Sequence, residues 1–305
     1  MKFVRYSHND GVIHSGFISG EYIHKSPADI PLIALLRSNN LEIQGAAALA
    51  NPADISVSEA TFHTPIETPP AVRDFMAFET HVVNSMAALG REVSPAWYEI
   101  PVFYFSNPQA VADPSSDVHI SPGSEQYDFE LEIAAIIGTS GTNIPLEDAE
   151  KHIAGYTIFC DWSARDLQEL EMRVGLGPAK GKDGTSTLGP YFVSLDEIEN
   201  LRSNKGYDIE LTVKVNGKLY TKANWQTIYW SFAQMITFAS RGTTLVPGDV
   251  IGSGTVGTGC ILELGRVNGF DKFPYLKVGD VVEIDAGILG STKNVIKKSV
   301  QVNPL

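Results

Sequence analysis

The residues whose types and spacing could do chemistry lie between positions 127 and 168, in YDFELEIAAIIG and, after a polar interval, GYTIFCDWSARDLQ. In the first string Phe129, Leu131 and Ile133 alternate with Asp128, Glu130 and Glu132, the two-residue period of a strand with one apolar face. Glu130 and Glu132 then share a face, roughly 6.5–7 Å apart along the strand. Two carboxylates at that range can reach one cation and resist joint ionisation without it. A third acid, Asp161, stands where the apolar run Tyr156, Ile158, Phe159 stops. Ser163 followed by Asp166 reads as a capping signal, which puts Asp161 at a strand end before a short helix with Arg165 and Gln168 on one face. A half-exposed antiparallel strand whose wet face holds three acids explains Glu130 and Glu132 equally well.

The elements that must position these acids are mostly strands. Residues 1 to about 62 hold short segments such as KFVRYS and GVIHSGFISG broken by Gly, Pro and Asn, a small β-rich unit in which His8, His14 and His24 lack metal-ligand spacing. The Pro-dense HTPIETPPAV is an extended connection, so a domain of residues 1–65 precedes a main domain of 66–305. DFMAFETHVVNSMAALG carries apolar residues at 75, 78, 82, 86 and 89 and a terminal Gly90, a helical period. Asp74 would be its N-cap, and His81 would lie on the same face about 10 Å along the axis at 1.5 Å per residue. Lys180 and Lys182 fall in a Gly/Pro-rich loop, where solvation is the ordinary role of a lysine. YDIELTVKVNGKLYT is a hairpin around Asn-Gly, WSFAQMITFAS an amphipathic helix, LVPGDVIGSGTVGTGCILELG two strands around a glycine-rich bend, and the tail two closing strands.

Composition bounds the function. The chain has 305 residues and a formal charge of -13, enough length for a large core and the wrong sign for nucleic acid or anionic membranes. An acidic small molecule would need a metal and local Arg or Lys to reverse the field. No stretch approaches the roughly 18 apolar residues of a membrane span, IPLIALL being the longest candidate, and MKFVRYSHND lacks a signal-like apolar core. Cys160 and Cys260 read as buried free thiols in a reducing, cytoplasmic setting. The glycine run GSGTVGTG lies late in the chain and outside the strand-helix-strand pattern that a dinucleotide fingerprint requires, and no Gly-x-Ser-x-Gly elbow occurs.

Taken together, DFELE, DWSARDLQ, the LGPAKGK loop and GDVIGSGT followed by CILEL resemble the fumarylacetoacetate hydrolase superfamily, over roughly residues 65 to 295. The resemblance implies an α+β fold that is mostly β, with a mixed β-roll or β-sandwich catalytic domain, and a cytoplasmic homodimer. It implies a divalent metal on Glu130, Glu132 and Asp161, joined by Asp74. It further implies a catalytic His81 paired with Glu263, Lys182 rather than Lys180 in the active site alongside Arg165 and Gln168, and substrate contacts from Tyr104 and Thr255. Tyr104 reads equally well as strand core. Four carboxylates suit a hard cation, Mg²⁺, Ca²⁺ or Mn²⁺, rather than zinc, and such an ion would hold a chelating dicarboxylic or diketo acid and stabilise its enolate. The expected reaction is metal-dependent carbon-carbon bond hydrolysis of a 1,3-diketo acid (fumarylacetoacetate, fumarylpyruvate or acylpyruvate), as in aromatic catabolism. The runner-up is a decarboxylase, isomerase or dehydratase of a 2-oxo acid such as oxaloacetate. The pattern departs at Met172 with Arg173 and at Gly90 with Arg91, positions concerned with the distal end of the substrate.

Overall fold

The computed structural model describes residues 1–87 and 90–303. In chain order the elements used below are β1 (Lys2–Ser7), β2 (His14–Ser19), β3 (Tyr22–Lys25), α1 (Leu32–Arg37), α2 (Leu41–Leu49), β4 (Val72–Phe75), α3 (Glu79–Ala87), β5 (Phe103–Ser106), β6 (Leu131–Ile137), β7 (Ile153–Asp161), α4 (Arg165–Val174), β8 (Tyr191–Ser194), β9 (Glu210–Val215), β10 (Lys218–Asn224), α5 (Phe232–Ala239), β11 (Val250–Gly252), α6 (Ile261–Asn268), β12 (Val281–Asp285) and β13 (Ser291–Lys297). The fold is α+β and dominated by strands. A 13-stranded sheet runs β3-β2-β1-β8-β7-β6-β11-β4-β5 along its main path, and a 5-stranded sheet contains β10-β9-β12-β13. The path of each sheet has two ends, so neither closes into a barrel.

β6 is the axis of the molecule. It pairs antiparallel with β7 and with β11, and both of its faces are covered. Leu131, Ile133, Ala135 and Ile137 pack in one core with Leu211, Val213, Val282 and Ile284 of the second sheet and Met235 and Ile236 of α5. Ala134 and Ile136 pack in another with Leu32 and Leu35 of α1 and with Phe3 and Phe17. Residues of even number therefore change character along one face, from Glu130 and Glu132 to Ala134 and Ile136. The N-terminal strands and helices cover the apolar end of that face, and β1 pairs directly with β8. The expectation of a wet face is not met: Asp128, Glu130 and Glu132 are 0%, 6% and 0% exposed.

Three local expectations are corrected. Asp74 does not cap a helix; it lies in β4, which pairs parallel with β11 and antiparallel with β5, and α3 begins only at Glu79. The ladder on both sides holds DF extended, so the helical spacing from Asp74 to His81 does not apply. Of the apolar positions expected in that helix, Leu89 lies outside the described residues. Second, ILELG is not a strand but the start of α6, because a short apolar run fits both periods and the Asp128 carboxylate accepts the N–H groups of Ile261 and Leu262 at 2.7 and 2.9 Å. Those donors have no partner within a helix's first turn. Third, Ser163 does not cap α4: it sits in a two-strand ladder with Asp128, Ala164 takes the N-cap position without a side-chain bond, and Asp166 instead binds Ser124 Oγ and the Glu125 N–H, each at 2.7 Å.

The segment 1–62 read as β-rich also holds helices α1 and α2, while the hairpin, the helix at 230–240 and the closing strands agree with the structure. Asn216 and Gly217 turn the β9–β10 hairpin with φ of 51° and 77°, the double positive φ of a type I′ turn. α5 opens on a capping box of Ser231 and Gln234, β12 and β13 close the chain, and both cysteines are buried and free. IPLIALL supplies α1, and no helix among the described residues is long and apolar enough to cross a membrane.

Candidate active site

Asp74, Glu130, Glu132 and Asp161 converge on one face of the sheet, each offering an oxygen within 4.8 Å of the others. The strand order explains how. Glu130 and Asp161 face each other across β6 and β7 through reciprocal backbone bonds of 3.1 and 3.2 Å. Asp74 reaches them from the far side of β11, at Gly252, its register partner. A Cβ on Gly252 would stand 2.6 Å from Asp74 Oδ1, so the absence of a side chain there lets Asp74 lean across. The next glycine, Gly254, donates its N–H to both Asp74 Oδ1 (3.2 Å) and Glu132 Oε2 (2.9 Å).

Two cations are drawn into this face. Lys182 Nζ bonds Asp161 Oδ2 at 2.7 Å and also Glu130 Oε2; its side chain is 4% exposed, against 74% for Lys180, which pairs with Asp183 in solvent. The loop is fixed because Gly181 lies against the Gln168 backbone, where a Cβ would meet Gln168 N at 2.7 Å. Arg165 is held on three sides: Nε donates to Asp128 at 2.8 Å, Nη1 donates to Gln168 Oε1 at 3.1 Å, and Nη2, which makes no hydrogen bond, stands 2.7 Å from Glu130 Oε1 in ion-pair contact. Tyr104 OH bonds Asp74 Oδ2 at 2.8 Å and also Asp161 Oδ2.

Four buried acids facing two cations cannot all ionise freely. Burial, and then the neighbouring Asp161, push Asp74 up to about 7; burial and Asp74 hold Glu132 well above the carboxylate range; burial raises Asp161 although Lys182 opposes it. Burial acts on Glu130 in the same direction, but Arg165 and Lys182 overcome it and hold Glu130 low. Glu132 Oε1 and Asp161 Oδ1 are buried with no hydrogen-bond donor. Oxygen-only ligands, excess negative charge and two orphaned carboxylate oxygens fit a divalent cation of the hard class. A pH dependence follows. Because the folded protein favours protonated Asp74 over the unfolded value of 3.8, that stabilisation is complete below about 4 and is lost as pH rises through about 7. Thermal melts of metal-free protein are expected to drop across that interval, and saturating Mg²⁺ is expected to remove the drop by taking the place of the proton; Glu130, held low, titrates beneath it.

Beside the acids lies a second constellation. His81 in the first turn of α3 places Nδ1 3.0 Å from Glu263 Oε2, both residues being buried. The other oxygen, Oε1, accepts from Asn84 Nδ2 at 2.5 Å and from the Thr258 N–H at 2.8 Å. Glu263 is thus clamped on one side and faces His81 with the other. The dyad adjoins the acids through Cys260, whose backbone bridges Glu130, and α3 contacts α6. Thr255 is buried in the connection between β11 and α6. Asp128, Asn84 and Thr258 escaped the sequence reading. Asp128 carried a signal, as the first acid of the DFELE alternation; Asn84, three residues after His81, resembles any polar helix position, and Thr258 acts through its backbone.

A family model described as fumarylacetoacetate (FAA) hydrolase C-terminal matches residues 71–297. The fumarylacetoacetase of Arabidopsis thaliana is 31% identical over 279 residues, covering 73% of this chain and 66% of the relative, so the match spans just under two thirds of that protein. An oxaloacetate tautomerase of Bacillus subtilis is 31% identical over 245 residues, covering 79% of this chain and 74% of the relative. Among solved structures, the maleylpyruvate hydrolase of Sphingobium sp. SYK-6, in complex with manganese (II) ion and pyruvate, superimposes with a TM-score of 0.72 over 98% of this chain and 100% of that one at 22% identity, a likeness of fold. The chain belongs to the fumarylacetoacetate hydrolase family.

Proposed function

We propose that the chain hydrolyses a carbon-carbon bond in a 1,3-diketo acid of the fumarylacetoacetate, fumarylpyruvate or acylpyruvate type. The observation that carries this reading is the buried His81–Glu263 pair, 3.0 Å apart beside the acidic set, a carboxylate-oriented base of the kind that makes water a nucleophile. Asp74, Glu130, Glu132 and Asp161 would hold Mg²⁺, with Mn²⁺ or Ca²⁺ as substitutes. When bound, that ion would supply positive charge for a chelating 1,3-dicarbonyl or 2-oxo acid and for the negative charge that develops on its oxygens.

The residues of the chain divide the remaining work. Glu263 accepts the Nδ1–H of His81 and so fixes the tautomer, leaving Nε2 to take a proton from water. The resulting hydroxide attacks the ketone remote from the carboxylate. Lys182 and the Gln168 amide N–H groups face the developing oxyanion, while Arg165, held by Asp128 and Glu130, acts by orienting Gln168 and Glu130. The carbon-carbon bond then breaks with its electron pair on the carbon between the carbonyls, and the proton on His81 returns to that carbon. A carboxylic acid leaves together with an oxo acid, a 2-oxo acid from an acylpyruvate or fumarylpyruvate and a 3-oxo acid from fumarylacetoacetate.

Proton transfer in a 2-oxo acid of oxaloacetate type, without consumption of water, is the second reading. It is favoured by the larger share of both chains matched by the Bacillus subtilis oxaloacetate tautomerase. Incubating Mg²⁺-loaded protein with acylpyruvates, fumarylpyruvate, fumarylacetoacetate and oxaloacetate, with product analysis, separates the two. Paired acid products support hydrolysis, whereas interconversion of oxaloacetate tautomers alone would replace it by the second reading. Within the first reading Lys182→Met is expected to lower turnover by about 10²–10³, the usual cost of an oxyanion donor, and Lys180→Met to leave it unchanged. Equal losses would place the functional lysine wrongly.

A further inference from the structure

Cys260 has no part in the chemistry above, yet its thiol lies in the dyad. One ligand atom from each of His81, Cys260 and Glu263 falls within 4.8 Å of the others, and the residues are 7%, 0% and 1% exposed. Nitrogen, sulfur and oxygen donors differ in kind from the four carboxylates nearby. Hard ions prefer the oxygens, whereas a thiolate and an imidazole suit zinc and softer ions. The donors are also held in place. Cys260 occupies the N-cap of α6, where Sγ accepts the Glu263 N–H at 3.5 Å, and Asn84 and the Thr258 N–H engage Glu263 Oε1, turning Oε2 toward His81 Nδ1 at 3.0 Å.

We propose that His81, Cys260 and Glu263 form a second metal site, one for Zn²⁺ or Cd²⁺, whose occupation silences the enzyme while the carboxylate site keeps its own ion. The ion binds the Cys260 thiolate, Glu263 Oε2 and the lone pair of His81 Nδ1, with water completing a tetrahedron. The thiol proton is released to solvent, one per ion. The single proton of the neutral ring moves from Nδ1 to Nε2, and an Nε2 that carries a proton cannot take another from water. Binding rests on the geometry alone; the loss of turnover rests on His81 being the base of the proposed reaction.

The test is a titration of Mg²⁺-loaded protein with Cd²⁺, followed by thiolate-to-cadmium charge-transfer absorbance, with Zn²⁺ inhibition measured in parallel. Cys260→Ser keeps a good N-cap acceptor for α6, and Cys160→Ala is the control for the other thiol. The expected result is a band that saturates at one equivalent in the wild type and in Cys160→Ala and is missing in Cys260→Ser. Zn²⁺ inhibition should be weakened in Cys260→Ser by more than the about 10–100-fold that losing a mere supporting contact typically costs. Absence of the band in the wild type, its persistence in Cys260→Ser, or Zn²⁺ inhibition unchanged in Cys260→Ser, which would place the ion on the carboxylates, overturns the proposal. A Cys260-dependent band with unimpaired turnover supports the site and counts against His81 as the base.

Discussion

His81→Ala is expected to remove nearly all cleavage of an acylpyruvate while leaving any decarboxylation of oxaloacetate intact. A positioned general base contributes typically about 10²–10⁴-fold, and hydrolysis depends on it because water must lose a proton to attack. Decarboxylation needs only a place for electrons, since carbon dioxide departs without a nucleophile. Glu263→Gln should reproduce the effect: the clamp from Asn84 and Thr258 holds the amide oxygen at the Oε1 position, so the amide NH2 faces His81 Nδ1, reverses the ring tautomer and leaves Nε2 unable to take a proton. The two rates are measured on one protein, so a folding defect or metal loss would lower both together. Survival of acylpyruvate cleavage in His81→Ala would remove His81 from the role of base.

Asp161→Ala should abolish turnover and metal binding together and leave the fold intact. Asp161 contributes an orphaned oxygen, Oδ1, to the acidic face and uses its other oxygen for Lys182 and Tyr104. Its removal takes one charge from a set of four acids that resist joint ionisation, and Lys182 retains Glu130, so the usual penalty of a stranded buried charge is relieved. Loss of a direct ligand should exceed the about 10–100-fold in affinity that supporting contacts are worth. Calorimetric titration with Mn²⁺ and circular dichroism read the two halves separately. Full turnover under excess chelator, or unaltered Mn²⁺ affinity in the variant, would contradict the metal assignment.

Much of this site was legible because strand alternation is local. Glu130 and Glu132 announce themselves through a period of two and Asp161 by standing where an apolar strand run stops, and the structure places them on one face. The resemblance added Asp74, His81, Lys182 and Glu263, and the geometry brings each beside a partner, although the secondary structure around Asp74 and Glu263 was read wrongly. DFMAF and CILEL are short apolar runs that satisfy either period; long-range pairing with β11 and β5 decides the first, and the distant Asp128 carboxylate decides the second. Helices α1 and α2 were missed in a segment read as β-rich, because LIALL and EIQGAAAL are separated by only a brief polar interval and owe their burial to the far face of β6. Asn84 and the backbone of Thr258 were beyond reach for a related reason: their function exists only relative to a carboxylate that chain order places 179 and 5 residues away.

The central claim is that this site turns water into a nucleophile against a carbon-carbon bond. Turnover of an acylpyruvate by Mg²⁺-loaded protein in ¹⁸O-labelled water, with mass analysis of both products, tests it most directly. Hydrolysis predicts one labelled oxygen in the carboxylate of the released acyl fragment, with that label lost together with turnover in His81→Ala. Consumption of the substrate with no paired acid product and no label in a new carboxylate would contradict the claim and leave enolate chemistry without water as the reaction of the site.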